Sequence, residues 1–172
     1  MNQEHIYHIL IDRFFPTKGE DADGDFRGGC LRSIIDHLDY IQGLGMTGIM
    51  LTPFYKTAAY HGYHIVNFKQ VDPHFGTKED LHELINEAHR RGMIIVSDFV
   101  TNHCHKSCTL FSDGKHNDWF FFKRNGTYKC FAGITDLPMF NTKNKEVQVY
   151  LTQRALESVS YTHLTLPTSD LV

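Results

Sequence analysis

The stretch Met93-Ile94-Ile95-Val96-Ser97-Asp98-Phe99-Val100-Thr101-Asn102-His103 decides the fold. Its first part, residues 93–99, is a short apolar run rich in β-branched side chains, the composition of a strand covered on both faces. The last six residues place an acid, an amide and an imidazole at the strand's C-terminal end, where they can hydrogen-bond a polar ligand or hold a metal. Taken alone, Asp98 and Asn102 serve equally well to satisfy loop backbone groups.

Working outward, residues 6–14 and 48–51 also read as buried strands, and a helix follows each of the three. Leu31, Ile34, Ile35, Leu38, Ile41 and Leu44 recur at helical spacing, and Gly45 stands where a left-handed cap would end that helix. A second helix opens at Thr77 with Asp80 as its capping-box partner, shows Leu81, Leu84, Ile85 and Ala88 on one face, and closes at Gly92. A third, from about Lys145, carries Val147, Leu151, Ala155 and Leu156. The order β-α-β-α-β-α implies parallel strands joined by right-handed crossovers. Helix-to-strand links are a few residues, whereas strand-to-helix links are long and grow along the chain. That asymmetry marks a (β/α)8 TIM barrel, which builds function from the latter loops. A doubly wound open sheet fits the same order, but the first strand lacks a tight glycine-rich phosphate turn. The predicted class is α/β, a partial (β/α)8 TIM barrel of the first three βα units.

A net charge of -3 over 172 residues, with 22% charged, presents no basic field for a nucleic-acid backbone and no acidic tail. An uncharged small-molecule partner is therefore the default expectation. No apolar run approaches the roughly twenty residues that span a bilayer. The start, Met1-Asn2-Gln3-Glu4-His5, lacks a secretory signal, so a cytoplasmic location is expected, with Cys30, Cys104, Cys108 and Cys130 reduced. In a secreted protein Cys108 and Cys130 would be the pair to test. From Ser160 the helical period disappears and Pro167 forbids an ordinary helix interior. Residues 1–159 are therefore read as the native domain and 160–172 as a non-native tail.

Three further segments lie on either side of the opening stretch. Tyr60-His61-Gly62-Tyr63-His64 follows the second strand and leads to Val71-Asp72-Pro73-His74-Phe75-Gly76-Thr77; Leu137-Pro138-Met139-Phe140-Asn141 precedes the third helix. A glycine beside an aromatic lets a ring come close to a ligand, and a ring face packs on the C–H face of a pyranose. These four segments, in this order and spacing, resemble the α-amylase family, glycoside hydrolase family 13. Asp98 to His103 looks like its first conserved region and Leu137 to Asn141 like its fifth, with residues 104–140 as a short loop domain inserted after strand three. That short loop is similar to the neopullulanase and cyclomaltodextrinase side of the family.

The resemblance implies roles for single residues. Tyr63 would stack on the sugar at the cleavage subsite, His61 would lie beside it, and His103 would hydrogen-bond the sugar's primary hydroxyl. Asp98 would be structural, holding an arginine of the fourth strand, and Asn141 would belong to the structural motif. Asn102 would be a calcium ligand or a loop anchor. Met139 stands where many members place Asp or Lys, which removes an oxygen ligand from the usual calcium site.

Calcium is the one cofactor the residues admit. Asp21, Asp23 and Asp25 alternate in the first long loop, a spacing that can wrap an oxygen-preferring cation, though a solvated acidic turn fits them as well. His103, Cys104, His105, Cys108 and Cys130 invite a zinc reading, but their spacing matches no standard finger. The family's retaining chemistry needs a nucleophilic Asp ending strand four, an acid/base Glu ending strand five and a helper Asp ending strand seven. The intact parent is thus expected to hydrolyse or transfer α-1,4, and by extension α-1,6, glucosidic bonds of maltodextrins, cyclodextrins or starch. This chain lacks those strands and is expected to be inactive. Its partner is an α-glucan or maltooligosaccharide, and the competing reading is a noncatalytic α-glucan-binding or assembly module.

Overall fold

The computed structural model describes residues 4–17 and 25–162. Along the chain run β1 (Ile6–Ile9), α1 (Leu31–Asp36), α2 (Leu38–Gly43), β2 (Gly48–Leu51), β3 (Tyr55–Thr57), β4 (Ile65–Val71), α3 (Lys78–Arg90), β5 (Ile94–Ser97), α4 (Thr109–Ser112) and α5 (Lys145–Thr162). Strands β1, β2 and β5 form a parallel sheet in that order, with Ile6, Gly48 and Ile94 in one row.

Side chains alternate across this sheet. Tyr7, Ile9, Ile49, Leu51 and Ile95 join Leu31, Ile34, Leu38, Ile41, Leu81, Leu84, Ile85 and Ala88 in the main core. The opposite face is open: Ile6, Ile94 and Val96 are 39%, 44% and 38% exposed. The expectation of strands covered on both faces therefore fails for β5, because only helices pack on the sheet and nothing among the described residues covers its other side.

Helix α3 forms as its signals require. Thr77 accepts the Asp80 amide at 3.1 Å while the Asp80 carboxylate accepts the Thr77 amide at 2.8 Å, closing a capping box. At the other end Gly92 adopts φ 71°, and the Met93 amide reaches back to the Ala88 carbonyl at 2.9 Å.

Four boundaries differ from the sequence reading. Residues 6–14 are not one strand: β1 ends at Ile9, and a turn of 3-10 helix, Ile11–Arg13, buries Asp12 completely. Its carboxylate accepts the Arg27 amide at 2.9 Å and the Gly28 amide at 3.2 Å and pairs with Arg13. The first predicted helix breaks at His37, whose backbone leaves the helical region at φ -116°, ψ 17°. There Nδ1 lies 2.7 Å from the Ser33 carbonyl and the ring stacks on Phe15 at 3.6 Å. The long link after β2 contains an antiparallel hairpin, β3–β4, pinned by buried Asp72, which accepts the Thr57 and His74 amides, both at 2.8 Å. Finally, α5 continues to Thr162, across the expected boundary at residue 160.

The segment 104–140 has little regular structure. Backbone bridges pair His103 with Met139, Phe120 with Phe140, Phe122 with Tyr128 and Cys130 with Pro138. Trp119 ties it to α5 by donating from Nε1 to Glu146 at 3.0 Å.

Candidate functional site

Two turns meet beyond the C-terminal ends of β2 and β5. The first, residues 58–64, is set by Gly62, which has φ 84° and packs against a backbone carbonyl; a Cβ there would lie 2.0 Å from the Pro53 oxygen. The small residue thus serves the chain's own close approach rather than that of a ligand. The second turn follows β5 and carries Asp98, Asn102 and His103.

The Tyr63 hydroxyl donates to Asp98 Oδ2 at 2.7 Å, so within this chain Asp98 orients the aromatic ring. His103 Nε2 lies 3.2 Å from the Tyr63 carbonyl and its Nδ1 lies 3.3 Å from the Asn102 amide nitrogen. A carbonyl can only accept and an amide NH2 can only donate, so this network assigns the proton to Nε2. Phe131, from the 104–140 segment, stacks on the imidazole at 4.6 Å. His61 completes the group, accepting the Tyr63 amide on Nδ1 at 3.1 Å.

Tyr63, Asp98, Asn102, His103 and His61 are therefore gathered in one place. Asn141 is not among them: it stands at the entry to α5, where its amide donates to the Asp118 carbonyl at 3.4 Å. Asp21 and Asp23 lie outside the described residues. The Asp25 carbonyl accepts from Arg13 Nη1 at 2.8 Å, and the Arg13 guanidinium sits 3.9 Å over the Tyr60 ring. The Asn102 backbone carbonyl accepts the Phe140 amide at 2.9 Å.

The zinc candidates diverge. Cys104 and Cys108 face each other in the core, Cys130 turns toward the Tyr128 carbonyl at 3.7 Å, and His105 Nδ1 faces Ser107 at 2.7 Å. All four cysteines are free thiols. Among the described residues no group of three or more His, Cys, Asp or Glu is placed to hold a metal.

Sequence reasoning missed two features of the site. Phe131 sits in an aperiodic loop with no signal to single it out. The second is a row of imidazoles, with His61 4.6 Å from His64 and His64 stacked on His105 at 6.0 Å.

Burial pushes His61, His64, His103 and His105 below the ordinary histidine range, with Asp136 opposing the shift at His64 and His105. Burial, then the bond to Asp98, raises Tyr63 to about 12. An unfolded chain takes up protons on these imidazoles near pH ~6.5, where the folded chain still resists them. Stability is thus present above about pH 6.5 and is lost as pH falls through the lower folded values. Urea midpoints are expected to fall between about pH 7 and about pH 5, and His64→Gln with His105→Gln to flatten that slope. A constant midpoint across this window would contradict the assignment.

The family model for the α-amylase catalytic domain matches residues 8–159. The chain belongs to the α-amylase family. Alpha-amylase 2 of Dictyoglomus thermophilum is 40% identical over 160 residues, covering 87% of this chain and 28% of that protein. An intracellular maltogenic amylase of Bacillus subtilis is 38% identical over 174 residues, covering 87% of this chain and 30% of its own length. The chain thus spans less than a third of these α-amylase-family relatives. An alpha-amylase of Geobacillus thermoleovorans, solved with acarbose, superposes with a TM-score of 0.80 at 38% identity, over 92% of this chain and 38% of the other. A cyclomaltodextrinase, one of the two kinds of enzyme that the sequence was expected to resemble, stands among the relatives beside the maltogenic amylases. No helix among the described residues is long and apolar enough to cross a membrane.

Proposed function

We propose that this chain forms the first three βα units of an α-amylase-type barrel, with residues 104–140 as the inserted loop domain, and supplies the sugar-contacting rim of a retaining glycosidase. The bonds cleaved are α-1,4, and by extension α-1,6, glucosidic linkages of maltodextrins, cyclodextrins or starch. The observation that carries this reading is the junction of Tyr63, Asp98 and His103 beyond the C-terminal ends of parallel strands, where barrels of this kind act.

In this reading Tyr63 offers its ring face to a glucose unit, held at a fixed tilt by Asp98. His103, proton on Nε2, exchanges the Tyr63 carbonyl for a sugar hydroxyl as Phe131 moves aside. His61 borders the same subsite. The bond-breaking carboxylates belong to strands four, five and seven, so the 172-residue chain binds sugar without turning it over. Calcium, if bound, would be held by the carboxylates of the first long loop, of which Asp25 lies among the described residues, and by the side-chain oxygen of Asn102, whose amide nitrogen faces His103. An intracellular location is supported by the name of the Bacillus subtilis relative.

The test is titration of the chain with maltotriose by calorimetry, alongside an assay for released glucose and maltose. Weak binding is expected, lowered on the order of tenfold in Tyr63→Ala, with no release. Sugar release by the purified chain would overturn the division of labour. A longer protein that binds maltotriose without cleaving it would favour the noncatalytic module.

A further inference from the structure

A cavity of about 390 Å³ opens between the β3–β4 hairpin, the start of α3 and the middle of α5, and none of its lining residues belongs to the Tyr63–His103 cluster. Its size falls in the range of small-molecule sites. Phe54, Tyr55 and Phe68, all nearly fully buried, give it an aromatic floor. Lys56, Lys69, Lys78 and Arg154 line it against a single carboxylate, Glu157. In a chain of net charge -3 this is a local reversal of sign.

Arg154 is held in place: its Nη2 pairs with Glu157 at 2.6 Å and its guanidinium lies 5.5 Å over the Tyr150 ring. Its buried Nε has no hydrogen-bond partner among the described residues. A buried N–H without an acceptor is costly, and native proteins rarely leave one so. Nε is itself closed off from the cavity, so what the cavity presents to an incoming anion is the charge of the rest of the Arg154 guanidinium, offset by one lining carboxylate. Exposed Lys56 and Lys69 would add charge to the same anion.

We propose that this cavity binds a small organic anion, with an aromatic or alkyl body on Phe54, Tyr55 and Phe68 and a phosphate or carboxylate on Arg154, Lys56 and Lys69. A neutral glucan has no use for four cations around an aromatic floor. The proposal is independent of the glucan reading.

Phenyl phosphate and 3-phenylpropionate are the probes, titrated separately into the full 172-residue chain by calorimetry at low ionic strength. The stronger of the two identifies the headgroup. At least one is expected to bind about tenfold more tightly than phenol, inorganic phosphate or acetate, and K56E/K69E to weaken it on the order of tenfold. Amide NMR shifts should cluster on the hairpin and α5. Should K56E/K69E fail to fold, Lys69→Met alone is expected to weaken binding about threefold. The proposal is overturned by no binding of either probe below about 10 mM, by unchanged binding in the folded lysine variant, or by displacement of the probe by maltotriose.

Discussion

Asp12→Ala is expected to destabilise the chain by about 3 kcal/mol or more, measured by urea unfolding. Asp12 has no exposure at all, yet it carries a carboxylate that closes the first long loop onto the end of β1. Its oxygens accept the Arg27 and Gly28 amides and pair with Arg13. Alanine leaves those two amides facing a void and releases a guanidinium that also holds the Asp25 carbonyl and the Tyr60 ring. Loss of a buried acceptor costs more than the bonds it made, because the stranded donors stay dehydrated. Asp12→Asn keeps one oxygen and most of the shape, so a loss nearer about 1–2 kcal/mol is expected. An alanine variant within about 1 kcal/mol of the parent would mean that the loop is satisfied by water instead.

Gly62→Ala should be almost as damaging and should also remove the sugar-binding surface. An added Cβ would meet the Pro53 oxygen at 2.0 Å and its carbonyl carbon at 2.9 Å, both backbone atoms that cannot rotate away. Strain at φ 84° adds about 1 kcal/mol, and the displaced turn carries His61 and Tyr63 on either side of the substitution. The expected total is above about 2–3 kcal/mol, with maltotriose affinity lowered more than tenfold. Gly92→Ala is the control: φ is 71°, nothing lies within 4 Å of its added Cβ, and only the conformational cost remains. Equal effects of the two substitutions would show that steric contact with Pro53 is not what positions the turn.

The parts of the fold that were legible in the sequence are those with a local signal. The capping box at Thr77 and the apolar face of Leu81, Leu84, Ile85 and Ala88 specify α3 within one segment, and α3 forms there. Tyr63, Asp98, Asn102 and His103 were legible as a group through the family resemblance that their short motifs together carry, and the structure brings them together. Features that depend on distant partners were not. The burial of Asp12 is set by the Arg27 and Gly28 amides, and within the run 6–14 it reads as one polar residue in a strand. The break at His37 depends on Phe15, and the β3–β4 hairpin on Asp72. Phe131 reaches His103 only because a loop without periodicity folds back across it. The tautomer of His103 likewise follows from the Tyr63 carbonyl, a group that every residue has and no sequence can mark.

The open face of the sheet has a calorimetric consequence. Ile6, Ile94 and Val96 already stand in contact with water in the folded chain, so unfolding newly hydrates less hydrocarbon than a fully enclosed domain of this length would. The heat-capacity increment should accordingly fall below the usual ~12–15 cal/mol/K per residue, with a shallow denaturant slope and a flattened stability curve.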